Sequence, residues 1–257
     1  MKIGFPNNPR KDILTEIAWI GENGFDFVDL FLEPDKAALE AIDPAAVRRE
    51  IERFGLDTVG HLAWYLPIGS PLPQLREAAV AAAGAYLGAF REIGVGAVTV
   101  HANWPPGMFS DDEGVAWQTQ SLRELVRRAE ALRIRLLYEP IDTRRDSPEN
   151  VECILNQVPG LLCHLDTGHS NLFGRKPADL IRQFARKLFH LHVHDNDGFY
   201  DQHLPPGTGK VDWKQVFAAL RGIGYDRTIT LEVFSRDRDY VLLAKSKIER
   251  LIREPMG

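Results

Sequence analysis

The amino-acid sequence predicts an α/β fold, a single (β/α)8 barrel that takes in residues 1–257 as one domain. Three observations predict it. A chain of 257 residues with 44% hydrophobic composition can bury one large core. Short β-rich runs alternate with amphipathic stretches along the chain. Histidines and carboxylates gather where these runs end, and no linker rich in Pro, Gly or Ser divides the chain.

Eight β-rich runs recur at intervals of roughly 30 residues, as a parallel sheet with crossover helices requires. In chain order they are residues 2–5, 25–32, 58–62, 97–101, 135–139, 161–166, 188–194 and 228–234. Amphipathic stretches separate them, such as 73–94, rich in Ala and Leu, and 121–132, with Arg and Glu on its polar face. These stretches should form the outer layer of helices.

Bulk composition excludes several classes of protein. The net charge of −5 offers no basic stripe for a nucleic-acid backbone, so nucleic acid is disfavoured as a partner. Two cysteines, Cys153 and Cys163, can form neither a disulfide framework nor a four-cysteine zinc site, and both are expected to be buried thiols. Met1 leads directly into a strand-like run and no apolar stretch reaches membrane-spanning length, so we expect no membrane association and a cytoplasmic protein.

Alternate side chains of a barrel strand face the interior, so a reactive face should have a period of two. In residues 189–194 the histidines share one face, while Leu191 and Val193 take the other. The same parity turns an acidic or His side chain inward at the end of five more runs: Glu33, His101, Glu139, Asp166 and Glu232. The carboxyl ends of the strands form the catalytic face of this fold, which predicts one shared site.

The chain has eight histidines, none in a predicted helix, and five of them lie at strand ends or in the following loops: His61, His101, His169, His192 and His203. Each alone is better explained as a hydrogen-bonded structural residue. Together with buried Glu139, Asp166 and Glu232 they predict a divalent metal, because burying three carboxylates without a cation is costly. Mixed N and O ligands suit Mn, Zn, Co or Fe without ranking them. Deeper in their strands, His164 and His190 are assigned structural roles.

Two motifs carry a family resemblance. Residues 165–169 read LDTGH, and residues 192–198 read HVHDNDG and continue as DQHLPPGTGKVDW over 201–213. These motifs and the strand ends resemble the xylose isomerase-like TIM barrels, in particular the sugar phosphate isomerase/epimerase branch, over essentially the whole chain. The same superfamily includes endonuclease IV.

The resemblance implies a metal-dependent sugar isomerase or epimerase acting on a carbohydrate, a sugar phosphate or a polyol. Ketose 3-epimerases of this superfamily hold one metal with residues that match Glu139, Asp166, His192 and Glu232, and the two glutamates exchange the substrate proton. Such a metal would stabilise an enediolate. The chain departs from those epimerases at Gly198, where they carry an arginine, which argues against a free ketohexose.

Three further residues are candidates for substrate binding. Glu33 has the direction to contact substrate hydroxyls or to pair with an Arg. Trp64 lies in a loop that could form the wall of a sugar pocket or stack on a base. His194 shares the inward face of its strand. The sequence leaves the oligomeric state open, a homo-oligomer included.

Endonuclease IV gives the alternative, an apurinic/apyrimidinic endonuclease. Its three-metal site resembles three sets here: His61, His101 and Glu139; then Glu139, Asp166, His192 and Glu232; then His169, Asp201 and His203. The last set could hold another metal or the substrate. Acidic charge and the lack of clustered Lys or Arg at the strand-end loops argue against DNA. A metal- or sugar-binding protein without turnover is a third hypothesis, disfavoured because both candidate bases are present.

Overall fold

The computed structural model describes residues 1–141 and 143–254. Its eight parallel strands close into a barrel in sequence order, which confirms the predicted (β/α)8 TIM barrel. The strands are β1 (Lys2–Pro6), β2 (Phe27–Leu32), β3 (Asp57–Leu62), β4 (Ala97–His101), β5 (Arg135–Glu139), β6 (Leu162–Asp166), β7 (Leu188–Val193) and β8 (Thr228–Leu231). Because β1 pairs with β8, the sheet has no open edge.

Within the described part of the chain, eight α-helices surround the barrel. They are α1 (Ile13–Glu22), α2 (Pro44–Phe54), α3 (Pro73–Ile93), α4 (Asp111–Ala131), α5 (Pro148–Gln157), α6 (Pro177–Gln183), α7 (Trp213–Gly222) and α8 (Asp239–Arg253). A short 3-10 helix, His169–Gly174, follows β6, so one histidine does begin a helical turn. Within the described residues no helix combines the length and apolar character needed to cross a membrane.

Helix α4 begins ten residues before the predicted segment 121–132. Its first turn is acidic, with Asp111, Asp112 and Glu113, so the hydrophobic pattern did not reveal that the helix begins there. Ser110 caps it: the Ser110 side chain accepts a hydrogen bond from the Glu113 N–H, and the Glu113 carboxylate accepts one from the Ser110 N–H. Such a capping box satisfies two helix-end N–H groups at once and fixes where the helix starts.

The alternating strand pattern separates two environments. Tyr138 of β5 points outward, is fully buried under α4, and donates its hydroxyl hydrogen to Gln118 of that helix. Inside the barrel, Gly4 of β1 leaves room for Phe27 of β2, since a Cβ at Gly4 would lie 2.4 Å from the Phe27 ring. Phe27 thereby fills the barrel interior next to His190, with the two ring centroids 5.9 Å apart.

Two expectations need correction. Strand β8 ends at Leu231 rather than residue 234, so Glu232 is the first residue of the following loop, where its N–H still donates to the Val193 carbonyl. Cys153 is exposed while Cys163 is buried. Helix α5 buries Val151, Ile154 and Leu155, which places Cys153 on the opposite, solvent-facing side of the helix.

Candidate metal centre and cavity

Glu139 lies at the centre of a buried histidine cluster. One of its carboxylate oxygens, Oε2, is 3.1 Å from His61 Nε2, 3.3 Å from His101 Nε2 and 3.1 Å from His164 Nδ1. Barrel register creates this contact, because His101 on β4 is directly paired with Glu139 on β5. The strand ends therefore bring together side chains that lie far apart in sequence.

His192 joins Glu139 to two further carboxylates. Its Nδ1 atom is 3.1 Å from Glu232 Oε2, 3.6 Å from Glu139 Oε1 and 4.0 Å from Asp166 Oδ2. Burial alone would lower the pKa of His192, but the carboxylates of Glu232 and Glu139 outweigh burial and raise it well above its ordinary value. The four predicted metal residues thus surround one point with excess negative charge.

The donor set fits a divalent cation. Glu139 Oε1, Asp166 Oδ2 and His192 Nδ1 are buried, form no hydrogen bond within the described residues, and lie within 4.8 Å of one another. Buried polar atoms are normally hydrogen-bonded, so three unpartnered ligand atoms that face each other are costly without a cation. One imidazole nitrogen and several carboxylate oxygens match the preferences of Mn, Zn, Co or Fe.

Asp29 of β2 is a contributor that the sequence analysis missed. Its Oδ2 atom lies 2.9 Å from His192 Nε2 and accepts a hydrogen bond of 2.7 Å from Thr230. Since a carboxylate only accepts, His192 carries a proton on Nε2, and Nδ1, which is directed at the three acids, is the nitrogen that would lose its proton to bind a metal. A signal was present: Asp29 has the same strand parity as Glu33 and stands alone among apolar residues.

The two deeper histidines have structural hydrogen bonds. His164 Nδ1 is 2.9 Å from the Thr99 hydroxyl, and His190 Nδ1 is 2.7 Å from the Thr228 hydroxyl. Both are fully buried. Their hydroxyl partners agree with the structural assignment, although His164 also contacts the carboxylate of Glu139.

A second cluster lies on loops beside the first. Asp201 Oδ2 is 2.8 Å from His203 Nε2 and 3.5 Å from His169 Nε2. Burial opposes charge on His203, but Asp201 and Glu232 prevail and raise the pKa of His203 to about 9. The structure therefore brings together the three residues that the sequence grouped, next to Glu232.

Asp195 holds the long loop that carries this second cluster. The loop, residues 194–212, connects β7 to α7. The buried Asp195 carboxylate accepts hydrogen bonds from the N–H groups of Gly207 and Val211 and from the Trp213 indole, at 2.6, 3.0 and 2.9 Å. Much of the DNDG and GTGKVDW motif is thus architectural, and Asp201 and His203 are the loop residues that it presents to the cavity.

His194 does not reach the cavity, so the predicted substrate contact is not supported. Its Nε2 atom lies 2.9 Å from Asp166 Oδ1, and its ring stacks on His203 with centroids 4.0 Å apart. Gly168 makes room for it, because a Cβ there would lie 1.8 Å from the His194 ring. The buried His194 ring also lies 3.6 Å from Asp201 Oδ1, so it is a candidate fourth metal ligand beside His169, Asp201 and His203.

A cavity of about 890 Å³ opens above both clusters. Its floor is formed by His61, His101, His169, Asp201, His203 and Glu232, and Glu33 and Trp64 line its side. Glu139, Asp166 and His192 lie one layer below. Burial raises the pKa of Glu33, against the opposing effects of His61 and a hydrogen bond with Tyr65. Of the predicted substrate residues, Glu33 and Trp64 are therefore in position.

The structure is thus a closed (β/α)8 TIM barrel whose strands carry His and carboxylate side chains that could hold a metal at their carboxyl ends. The chain belongs to the xylose isomerase-like TIM barrel family, whose model matches residues 17–254.

Curated relatives match parts of the chain. An uncharacterized protein of Methanocaldococcus jannaschii is 31% identical over 156 residues, 56% of this chain and 53% of that protein. A fructoselysine 3-epimerase of Escherichia coli O157:H7 is 28% identical over 148 residues, 52% of this chain and 53% of that protein. The chain spans about half the length of these relatives.

Solved structures share the whole fold. A D-tagatose 3-epimerase-like protein superposes with a TM-score of 0.88 at 24% identity, over 98% of this chain and 97% of that one. A protein of Thermus thermophilus, in a crystal soaked with ZnCl2, gives a TM-score of 0.75 at 24% identity, over 97% of this chain and 99% of that one. At these identities the likeness establishes the fold alone.

Proposed function

We propose that this protein is a divalent-metal-dependent isomerase or epimerase of a sugar or sugar derivative. The observation that carries the proposal is the convergence of Glu139, Asp166 and Glu232 on the Nδ1 atom of His192, directly beneath a cavity of about 890 Å³. The epimerases among the relatives and structural neighbours support the same class.

Glu139, Asp166, His192 and Glu232 would hold the metal. A divalent ion bound there supplies a Lewis acid that polarises a carbonyl and favours loss of the neighbouring proton. Asp29 keeps the proton of His192 on Nε2 through the 2.9 Å contact, so that Nδ1 remains available as a ligand. His194 supports Asp166 through a 2.9 Å contact.

Glu232 is the proton-exchanging group with direct access to substrate. It lines the cavity, whereas Glu139 is fully buried beneath His61 and His101. Burial disfavours the charged form of Glu232, but the positive charge of His192 in the metal-free protein outweighs burial and lowers the Glu232 pKa. A metal bound to His192 would supply the positive charge in its place and keep the carboxylate ready to accept a proton. Glu139 is the second member of the acid/base pair in this proposal, and its deeper position gives the two glutamates unequal roles.

Side-wall groups would bind substrate hydroxyls. Glu33 lines the cavity and can accept hydrogen bonds from a sugar. Trp64, 61% exposed at the mouth, offers a flat face to a sugar ring. His169, Asp201 and His203 would bind either further substrate oxygens or a second ion.

Deuterium exchange tests the reaction. Metal-replete protein is incubated in D2O with a panel of ketoses, sugar phosphates and inosose-type polyols. We expect deuterium to enter a carbon next to the carbonyl of at least one compound during turnover. The same preparation is given an abasic DNA duplex. Cleavage of that duplex at enzyme-like rates, with no deuterium in any sugar, would replace the proposal with the endonuclease alternative.

A further inference from the structure

Half of the residues that line the cavity belong to one wall on the β1 and β8 side. This wall, called the basic lobe below, comprises Phe5, Pro6, Asn7, Asn8, Pro9, Lys11, Glu16, Phe234, Ser235, Arg236 and Arg238. None of these residues belongs to either cluster of the floor. The basic lobe is therefore a part of the cavity to which the proposed chemistry assigns no task.

Positive charge exceeds negative charge in the basic lobe. Arg238 forms a two-oxygen ion pair with Glu16, with N–O distances of 2.5 and 2.7 Å. Lys11 Nζ also lies near this carboxylate, at the longer distance of 3.9 Å from Glu16 Oε1. Arg236 is exposed and forms no ion pair among the residues that the structure describes. The basic lobe thus carries three cations and one carboxylate, in a protein whose net charge is −5. This corrects the expectation that no Lys or Arg cluster lies at the strand-end loops.

The basic lobe is held rigid at its base. The Arg238 guanidinium lies 4.1 Å from the centroid of the Trp19 ring, and buried Glu16 also accepts a hydrogen bond from the Asn8 N–H. A fixed Glu16–Arg238 pair leaves Lys11 and Arg236 as the two cations that can turn toward a ligand. An anion would gain from both without first breaking a strong ion pair.

The basic lobe is within one sugar length of the floor. Phe234 stacks on His203 with ring centroids 4.2 Å apart, and Arg236 follows two residues later. Two residues of extended chain span at most about 7 Å, and the Arg side chain can cover much of that distance again. Glu33 follows β2, the strand that pairs with β1, and therefore borders the basic lobe. An anionic group would be repelled by Glu33 and attracted to Lys11 and Arg236 within the lobe.

We infer that the substrate is an anionic sugar derivative, phosphorylated or carboxylated at the end far from its reacting carbon, and that Lys11 and Arg236 bind this anionic group. This inference rests on the proposed function for the reacting end of the substrate. It also accounts for a cavity larger than a free hexose requires.

Binding measurements on the metal-replete protein test the inference. The probes are a ketohexose, its 6-phosphate and its 6-carboxylate, each titrated by calorimetry into wild-type protein and the double variant Lys11→Gln with Arg236→Gln. We expect one anionic probe to bind at least tenfold more tightly than the neutral sugar in wild type. We expect this preference to fall to about twofold in the double variant, with binding of the neutral sugar unchanged. The probe that binds more tightly shows whether the anionic group of the substrate is a phosphate or a carboxylate.

Lys214→Gln is the matched control, since Lys214 is exposed and lies outside the cavity lining. It should keep the full preference. Equal binding of all three probes by wild type would overturn the inference. So would an anion preference that persists in the double variant, because the anion would then bind the metal at the floor. If wild type prefers an anionic probe but no probe acquires deuterium, the assignment of the basic lobe as the anion site stands and the proposed reaction is refuted.

Discussion

The two clusters of the site are held in place in different ways. Glu139, Asp166 and His192 lie on strands and are almost completely buried, and their contacts follow from barrel register. Asp201 and His203 lie on a loop and are 19% and 14% exposed in their side chains. The backbone of the loop is fixed by the Asp195 carboxylate instead of by a sheet. The strand cluster is thus a product of the fold, whereas the loop cluster depends on one local hydrogen-bonded network.

The largest expected effect concerns Glu232, which meets the strand cluster from the first position after β8. Glu232→Gln should lower the rate of proton exchange by about 10³-fold or more, because the amide cannot accept the proton while the remaining ligands still hold the ion. Solvent deuterium incorporation measures the rate, and calorimetric titration with Mn²⁺ checks the site. Glu33→Gln serves as the control and should change KM more than the exchange rate. If Glu232→Gln exchanges deuterium as fast as wild type, Glu232 is not a member of the acid/base pair.

Asp195→Ala tests whether the loop cluster depends on its own network. Loss of the buried carboxylate leaves several donors without partners, so the free energy of unfolding should fall by about 3–5 kcal/mol. Denaturant titration measures it. Ion affinity at the strand cluster should stay within about threefold of wild type, since register holds those ligands.

Asp197→Ala is the matched control in the same loop. Asp197 accepts hydrogen bonds from the Phe199 and Tyr200 N–H groups but is only partly buried, so the loss of stability should be much smaller than for the buried Asp195. If Asp195→Ala lowers both the free energy of unfolding and the ion affinity of the strand cluster by a similar free energy, the strand cluster depends on the loop network as well.

Asp146, near His169, gives a pH test of the region beneath the loop cluster. Burial raises the pKa of Asp146 to about 6, although hydrogen bonds from Trp104 and Thr143 oppose the shift. The folded state therefore holds a proton between about pH 3.8 and 6 that the unfolded state releases. Raising the pH through this window should cost about 3 kcal/mol of unfolding free energy.

Asp146→Asn should flatten that dependence, and denaturant titrations from about pH 4 to 7 measure it. Asp111→Asn is a control of opposite sign: a hydrogen bond from Arg145 lowers the pKa of Asp111, so its contribution to stability is present above its ordinary pKa and is lost as the pH falls. A wild-type stability that rises through the same window would show that Asp146 is not the dominant group.

Asp29→Asn has the smallest expected effect and tests the support of the strand cluster. Without the charge of Asp29, His192 loses its preference for the Nε2 proton, and ion affinity should fall by about 10- to 100-fold. Nitrogen-15 NMR of metal-free protein, recorded at a pH high enough for His192 to be neutral, reports the tautomer directly, and calorimetry reports the affinity. Thr230→Val removes a different donor to the same carboxylate and should leave the tautomer unchanged. An unchanged tautomer in Asp29→Asn would exclude this positioning role.

Strand parity was a strong guide to the site because the period of two is a local property of the chain. It placed Glu139, Asp166 and His192 on one inward face, and the spacing of the β-rich runs identified the barrel. It was less successful where polar residues surrounded an element, as at the start of α4, or where a pattern ran past the true strand end, as after Leu231. Asp29 was missed because a lone acid in an apolar strand has no partner visible in the sequence.

By itself the sequence determined the barrel, the inward face of each strand and the chemical nature of the ligands, since these follow from periodicity and side-chain type. Only the tertiary structure decided which ligands meet. It set His194 beside Asp166, joined Asp29 to His192 across the barrel, and left Glu232 facing the cavity while Glu139 lies below it. Barrel closure, register and loop folding fix these distances, and each depends on residues far apart in the chain.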